Sequence, residues 1–159
     1  MLDEADRPLP FRQYELRDVR HAGDKLLRTE VVTERLLSGW EEYADLLLMA
    51  SLAEHEKPTA REHWEAALKM WDGSGFNDAA TRHSHLYSTY KLALAMLAAP
   101  RLSPPAKVPT GLEERLLSLQ ADSGGWITDY DATGKKVGLA NVETTSLAIL
   151  GLEAKPPGH

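Results

Sequence analysis

The chain has 159 residues, 43% of them hydrophobic and 26% charged, and a formal net charge of -6. That length suffices for one domain with a real core, and the composition is ordinary for a globular protein. An acidic balance with no stripe of Lys and Arg argues against nucleic-acid binding. The absence of Cys removes disulfides, thiolate nucleophiles and thiolate zinc sites.

The N-terminus, Met1-Leu-Asp-Glu-Ala-Asp-Arg7, is acidic and lacks the apolar stretch of a signal peptide. No run reaches the length of a membrane span, so the expected location is cytoplasmic. Residues 1–25, punctuated by Pro8 and Pro10, read as a polar arm or linker, and residues 26–155 as a helical domain. A first helix is expected from Lys25 to Leu37, stopping near Gly39. Residues 43–53 are apolar nearly all round, the pattern of a buried helix. After Pro58, Thr59-Ala-Arg-Glu62 forms a capping-box pattern. The helix it opens carries Trp64, Ala67, Leu68 and Trp71 on one stripe and ends in Asp72-Gly-Ser-Gly75-Phe76. Residues 87–99 repeat the buried pattern up to Pro100. Thr110-Gly-Leu-Glu113 is a second capping-box pattern, followed by Leu112, Leu116 and Leu119 at helical spacing and by Asp122-Ser-Gly-Gly-Trp126. A short hairpin is expected within 126–139, and a last apolar helix over 141–152.

The two capping patterns lie 51 residues apart, and Phe76 and Trp126 lie 50 apart. Apolar helix, loop, capped helix and Gly–aromatic turn thus recur in one order, which reads as a helical-hairpin repeat. In such arrays one helix of each pair lines the inside and the other the outside. The expected fold is all-α, with segments 43–53, 87–99 and 141–152 inner and 59–71 and 110–120 outer.

Gln120-x-x-x-Gly124-x-Trp126 resembles the QW motif of squalene and hopene cyclases. Gly75-Phe76, followed by His85-Leu86-x-x-Thr89-Tyr90-x-x-x-x-Ala95, looks like the repeats of protein prenyltransferase beta subunits. Asn141 to Leu152 resembles the inner-helix starts of both. The resemblance covers roughly residues 43–152 and implies stacked hairpins of the α/α-toroid type, as a partial ring or open solenoid. It does not carry either catalytic set across. The Asp-x-Asp-Asp-Thr acid of the cyclases is matched only by Asn141-Val-Glu143-Thr-Thr145, and the prenyltransferase zinc set needs a Cys. Two or three hairpins also cannot close a ring, so a second copy or a parent-protein partner would complete it.

Several groups could carry chemistry. In a toroid, inner-helix starts surround the mouth of the central cavity. Glu143 lies at such a start, and Asp78 precedes another, so these two are the candidate catalytic carboxylates. Glu143 reads equally as a first-turn residue complementing the helix dipole. Tyr87, Tyr90, His85, Asn141, Asp129 and Tyr130 are the candidate ligand contacts, although aromatics at helical spacing also read as core. Asp129-Tyr-Asp131-Ala-Thr133-Gly134 resembles the start of a calcium loop, but Ala140 stands where a bidentate carboxylate belongs, and a hairpin turn is the simpler reading. His83-x-His85 would need a third metal ligand, for which Asp78 is the candidate, but a polar helix start with His85 capping or packing is the simpler reading, so no metal site is expected and the sequence names no cofactor. The expected function is binding of an isoprenoid or other ligand on the concave face. The alternatives are a polysaccharide-acting lyase or hydrolase using acids at the mouth, and a non-catalytic assembly module.

Overall fold

The computed structural model describes residues 12–36, 38–54 and 58–154. The chain divides into two compact units with the boundary between Trp40 and Glu41. Among the described residues there are six α-helices and two antiparallel sheets, of two and three strands, so the fold is mixed rather than all-α.

The first unit holds an antiparallel ribbon of β1 (Arg12–Ala22) and β2 (Lys25–Leu36). Of the expected N-terminal arm, residues 1–11 lie outside the described residues, and 12–22 are this first strand. The helix expected over Lys25–Leu37 is therefore a strand, for two physical reasons. Gly23-Asp24 forms a two-residue connection in which Gly23 takes φ 65°, a conformation that favours hairpins. Thr29, Val31, Val32 and Thr33 then supply β-branched side chains that lose rotamer freedom in a helix and pack well on a pleated surface.

The second unit holds α1 (Ala44–Ala53), α2 (Pro58–Leu68), α3 (Ala79–Ser84), α4 (Thr89–Ala98), α5 (Leu112–Ser118) and α6 (Val142–Glu153). Its sheet runs β3 (Tyr87–Ser88), β4 (Ile127–Tyr130) and β5 (Lys136–Ala140), in that order. The three helices expected to be inner lie side by side, with α4 between α1 and α6; α2 packs on α1, and α5 packs on α4. Helix α4 is buried almost throughout, including Leu92, Ala93, Leu94 and Ala95. Helix α6 is not: it buries Thr144, Ala148 and Gly151 and exposes Val142, Ile149 and Leu150. Leu112, Leu116 and Leu119 are fully buried, as their spacing predicts.

Neither capping box forms. Helix α2 starts on Pro58, which suits a first helical position, and the Thr59 hydroxyl donates instead to Glu54 at 2.8 Å. Helix α5 has Gly111 as its N-cap, at φ 81°, which leaves Thr110 one place outside. The Gly–aromatic turns do recur. In the first, the Asp72 N–H donates to the Gly75 carbonyl (3.1 Å) and the Asn77 N–H to the Met70 carbonyl (2.8 Å). In the second, the Ala121 N–H donates to the Gly125 carbonyl (2.7 Å) and the Ile127 N–H to the Leu119 carbonyl (3.2 Å). Bridges Trp71–Phe76 and Gln120–Trp126 sit at corresponding places. Each turn folds the chain back beside the helix end it has just left. The buried Trp126 donates its indole N–H to the Leu116 carbonyl of α5 at 2.8 Å, a second donor on a helix-end acceptor that also takes the Leu119 N–H at 3.1 Å. Gln120 donates to the Gly124 carbonyl at 2.9 Å and holds the turn, not the helix end.

Helix α6 approaches α4 closely because residue 151 has no side chain. A Cβ at Gly151 would stand 2.6 Å from the Ala93 carbonyl oxygen and 3.0 Å from the Met96 Cβ. Glycine-to-alanine changes inside helices usually stabilise by about 1 kcal/mol. Here the sign should reverse: Gly151→Ala is expected to lower stability by about 1–3 kcal/mol in a denaturant melt. The two turn residues should differ sharply. Trp126→Ala is expected to cost about 3–5 kcal/mol. Gln120→Ala, which removes one exposed hydrogen bond, is expected to cost about 1 kcal/mol or less. Equal melting temperatures for these two variants would remove the indole from its place as the helix stopper.

Candidate functional site

The polar groups of the helical unit collect where α1, α4 and α6 begin. Asp45 stands in the first turn of α1, and its Oδ2 accepts the Tyr90 hydroxyl from the start of α4 at 2.7 Å. Glu143, in the first turn of α6, is near enough to act electrostatically on Tyr90. The starts of the three helices therefore lie on one side of the row. Ser88, the N-cap of α4, donates from its hydroxyl to Asp129 Oδ1 on β4 at 3.1 Å. Asn141 caps α6, its Oδ1 accepting the Thr144 N–H at 2.7 Å. Since Asn141 does the capping, Glu143 is left exposed and without a hydrogen bond to any described residue.

Beneath these groups lies a buried ion pair. Lys91 sits one residue after Tyr90 and is 2% exposed; Asp78 is 0% exposed. Lys91 Nζ donates to Asp78 Oδ2 at 2.5 Å and stands 3.9 Å from Asp45 Oδ1. Asp78 also accepts the Thr81 N–H, as N-cap of α3, and the Ala44 N–H, at the start of α1, each at 3.0 Å. Burial pushes the Asp78 carboxyl up, but the Lys91 hydrogen bond and charge and the two backbone donors outweigh it, so its pKa lies below the ordinary carboxylate value. Asp78 is thus fully engaged in structure. Asp45 is less so: its Oδ1 is buried without a hydrogen-bond donor, as is the Thr89 hydroxyl oxygen. Burial raises the Tyr90 pKa first, and Asp45 raises it further, so its hydroxyl stays protonated and committed to that carboxylate.

A second cluster joins the first Gly–aromatic turn to the sheet. Tyr87 of β3 and Tyr130 of β4 stack with centroids 5.4 Å apart, and both are buried. The Tyr87 hydroxyl donates to Asp72 Oδ2 at 2.5 Å and the Tyr130 hydroxyl to the Ser74 carbonyl at 2.9 Å. Burial and then the Asp72 carboxylate push the Tyr87 pKa up to about 12. The Arg115 guanidinium lies 5.7 Å from the Tyr130 ring centre. Gly75 is required here, because a Cβ would run into both tyrosines. These two aromatics close a packed joint: Tyr87 directly precedes the α4 N-cap Ser88, but its ring is spent on Tyr130 and its hydroxyl on Asp72.

The remaining candidates separate. His85 is exposed, in the left-handed conformation at φ 59°, and its backbone N–H closes the end of α3. The 129–134 segment is a turn: Asp131 Oδ1 accepts the Thr133 N–H (2.9 Å), the Thr133 hydroxyl (2.6 Å) and the Lys135 N–H (3.0 Å), and Gly134 takes φ 87°. Those donors, the Thr133 hydroxyl foremost, lower the Asp131 pKa. Among the described residues, no three of His, Asp or Glu are grouped to hold a metal ion, and no helix is long and apolar enough to cross a membrane. Of the sequence-derived residues, Tyr90, Glu143 and Asn141 stand at the starts of α4 and α6 and Asp129 is bonded to the α4 N-cap Ser88, while Asp78, Tyr87, Tyr130 and His85 are held in structural contacts. Sequence reading missed Asp45 and Lys91. Lys91 had a signal, a lone charge inside an apolar helical run.

No family model matches the chain, and no curated protein or solved structure is significantly similar to it. The comparisons neither support nor refute the resemblance to α/α-toroid enzymes.

Removing one partner of a buried pair leaves a bare charge, at a typical cost of about 3–5 kcal/mol. Lys91→Met is expected to show such a loss, and Asp78→Asn in the same chain should recover part of it, because Asn keeps an acceptor for the Thr81 N–H. The pH dependence has a definite sign. Asp78 has a lowered folded-state pKa, so its stabilisation is present above the ordinary carboxylate range and disappears as pH falls through the folded-state value. Acid melts of the parent and of the double variant should diverge near neutral pH and converge at low pH.

Proposed function

We propose that the helical unit binds a polyhydroxylated, saccharide-type ligand at the shared start of α1, α4 and α6. The observation that carries this reading is the acceptor character of the helix starts. Tyr90 spends its proton on Asp45, so its oxygen has only lone pairs left for a ligand. Glu143 is exposed and unbonded, and Asp129 has a second oxygen beyond the one held by Ser88. A ligand rich in hydroxyl donors satisfies such a set. Asp45, Tyr90, Asn141 and Glu143 supply the polar groups, and the aliphatics beside Asn141, Leu139 and Val142, are 80% and 84% exposed rather than forming the enclosed apolar lining an isoprenoid needs, so the saccharide class is favoured. The same carboxylates would be the first place to look for acid–base chemistry on a bound glycan.

The test is amide NMR of the full chain, titrated with oligosaccharides of several linkages and, separately, with farnesol. Saccharide-induced shifts at the first turns of α1, α4 and α6 are expected. Glu143→Gln should weaken them about tenfold, the scale of one charge-assisted hydrogen bond, while leaving the melting temperature nearly unchanged. Tyr90→Phe should lose binding and stability together, because it strips the donor from Asp45. Shifts with farnesol alone would replace the saccharide reading by the isoprenoid one, and no response to either ligand would remove the site.

A further inference from the structure

Among the described residues, strand β2 is paired along one edge, to β1, in a sheet of two strands. From Lys25 to Val32 its register against β1 is regular on the β2 side, and the extra residue, Arg17, belongs to β1. A straight strand with an open edge is a template for pairing, whereas a bulged edge resists it. The exposed segment Leu26-Leu27-Arg28-Thr29-Glu30-Val31-Val32 has a further property: in chemical class it reads alike from both ends, apart from an exchange of charge sign about Thr29. Side chains of a strand alternate between faces, so Leu26, Arg28, Glu30 and Val32 share one face and Leu27, Thr29 and Val31 the other. The 2.7 Å bond from Arg28 Nη2 to Glu30 Oε1 agrees with that assignment.

We infer that β2 pairs with β2 of a second copy of this chain, antiparallel about a two-fold axis at Thr29. The product is a four-stranded sheet in the order β1, β2, β2, β1. In this register Arg28 of each copy faces Glu30 of the other, Leu26 faces Val32, Leu27 faces Val31, and Thr29 faces itself. Every pair is of a kind that stabilises a sheet, and the two salt-bridging pairs lie beside the axis. The competing registers fail on charge and on face. A slip of two residues sets Glu30 against Glu30 or Arg28 against Arg28, and a slip of one sets side chains on opposite faces. The contact is isologous, so it closes at two copies and does not propagate along the edge. It also extends the exposed aliphatics Leu16, Val19, Leu26 and Val32 into one shared face. An isolated two-stranded ribbon is marginal in water, and a third and fourth strand relieve that.

Sedimentation velocity of the full chain over a concentration series is expected to show a monomer–dimer equilibrium. Arg28→Glu and Glu30→Arg each turn two attractions into two repulsions, and each alone should weaken the dimer at least about tenfold. Mixing the two variants in equal amounts should restore dimer, since one chain then carries two acids opposite two bases. A chain carrying both changes should dimerise by itself. Because the protein has no Cys, Thr29→Cys supplies a clean register probe. Oxidation should link two copies through this position, while Leu27→Cys, on the same face within the regular stretch but away from the axis, should stay unlinked. The proposal is overturned by a parent chain that remains monomeric, by a dimer indifferent to single charge reversal, by a mixture that fails to re-pair, or by equal cross-linking at the two positions.

Discussion

The helical unit is organised around one buried carboxylate. Asp78 receives the first amide of α1, an amide of α3 and the ammonium of Lys91 from α4. Three segments distant in sequence are thereby fixed to one group. Removing a carboxylate and an ammonium from water is costly, and the mutual attraction offsets that cost only when the remaining lone pairs are also satisfied. They are satisfied here by backbone donors whose own partners would otherwise be missing at the helix starts. The pair therefore does two jobs together: it neutralises a buried charge and terminates two helices.

That constraint reaches the helix starts above it. Lys91 follows Tyr90 directly, so anchoring Lys91 to Asp78 fixes the height of α4 along its axis relative to α1. At that height the Tyr90 hydroxyl meets Asp45. The third helix is placed by different means. Gly151 lets α6 lie against the α4 backbone, and the Trp126 N–H donates to the Thr145 hydroxyl at 3.0 Å, tying the Gly–aromatic turn to the first turns of α6. The placement of the α4 and α6 starts thus depends on an ion pair at one joint and on close packing at the other. Carboxylates placed at helix starts are also favoured by the helix dipole, which lowers the cost of gathering several there.

The sequence revealed what has a period and hid what depends on pairing. Segments 43–53 and 87–99 announce themselves as helices because their apolar runs are long and free of Gly and Pro, and 141–152 does so through its Asn141 cap and the aliphatic run that ends around Gly151. The Gly–aromatic turns were readable because a repeat doubles the signal. The ribbon was misread because Lys25-Leu-Leu-Arg passes equally for a helix, and only the Gly23-Asp24 connection and the β-branched run that follows decide the matter. The capping boxes failed for a related reason. A Thr three places before a Glu marks a helix start only if the backbone begins turning there, and Pro58 and Gly111 shifted that point by one or more residues. The helix and cap pattern was enough to put Tyr90, Asn141 and Glu143 at helix starts, whereas Asp129 lies on β4 and reaches α4 through its N-cap Ser88. Asp45 was not, since its role comes from a partner 45 residues away.

The two acidic candidates of the second unit show why position alone could not assign them. Asp78 and Glu143 both belong to helix starts, and in both the dipole argument allows a structural reading. The structure separates them by what else is available to do the structural work. At α3 no other side chain caps the helix, so Asp78 is consumed. At α6, Asn141 already holds the Thr144 amide, which makes Glu143 redundant as a cap. A charged residue that is redundant as a cap and exposed has its full acceptor capacity left for something outside the chain. That asymmetry gives the start of α6 its claim as the recognition end of the row, and leaves the start of α3 as its foundation.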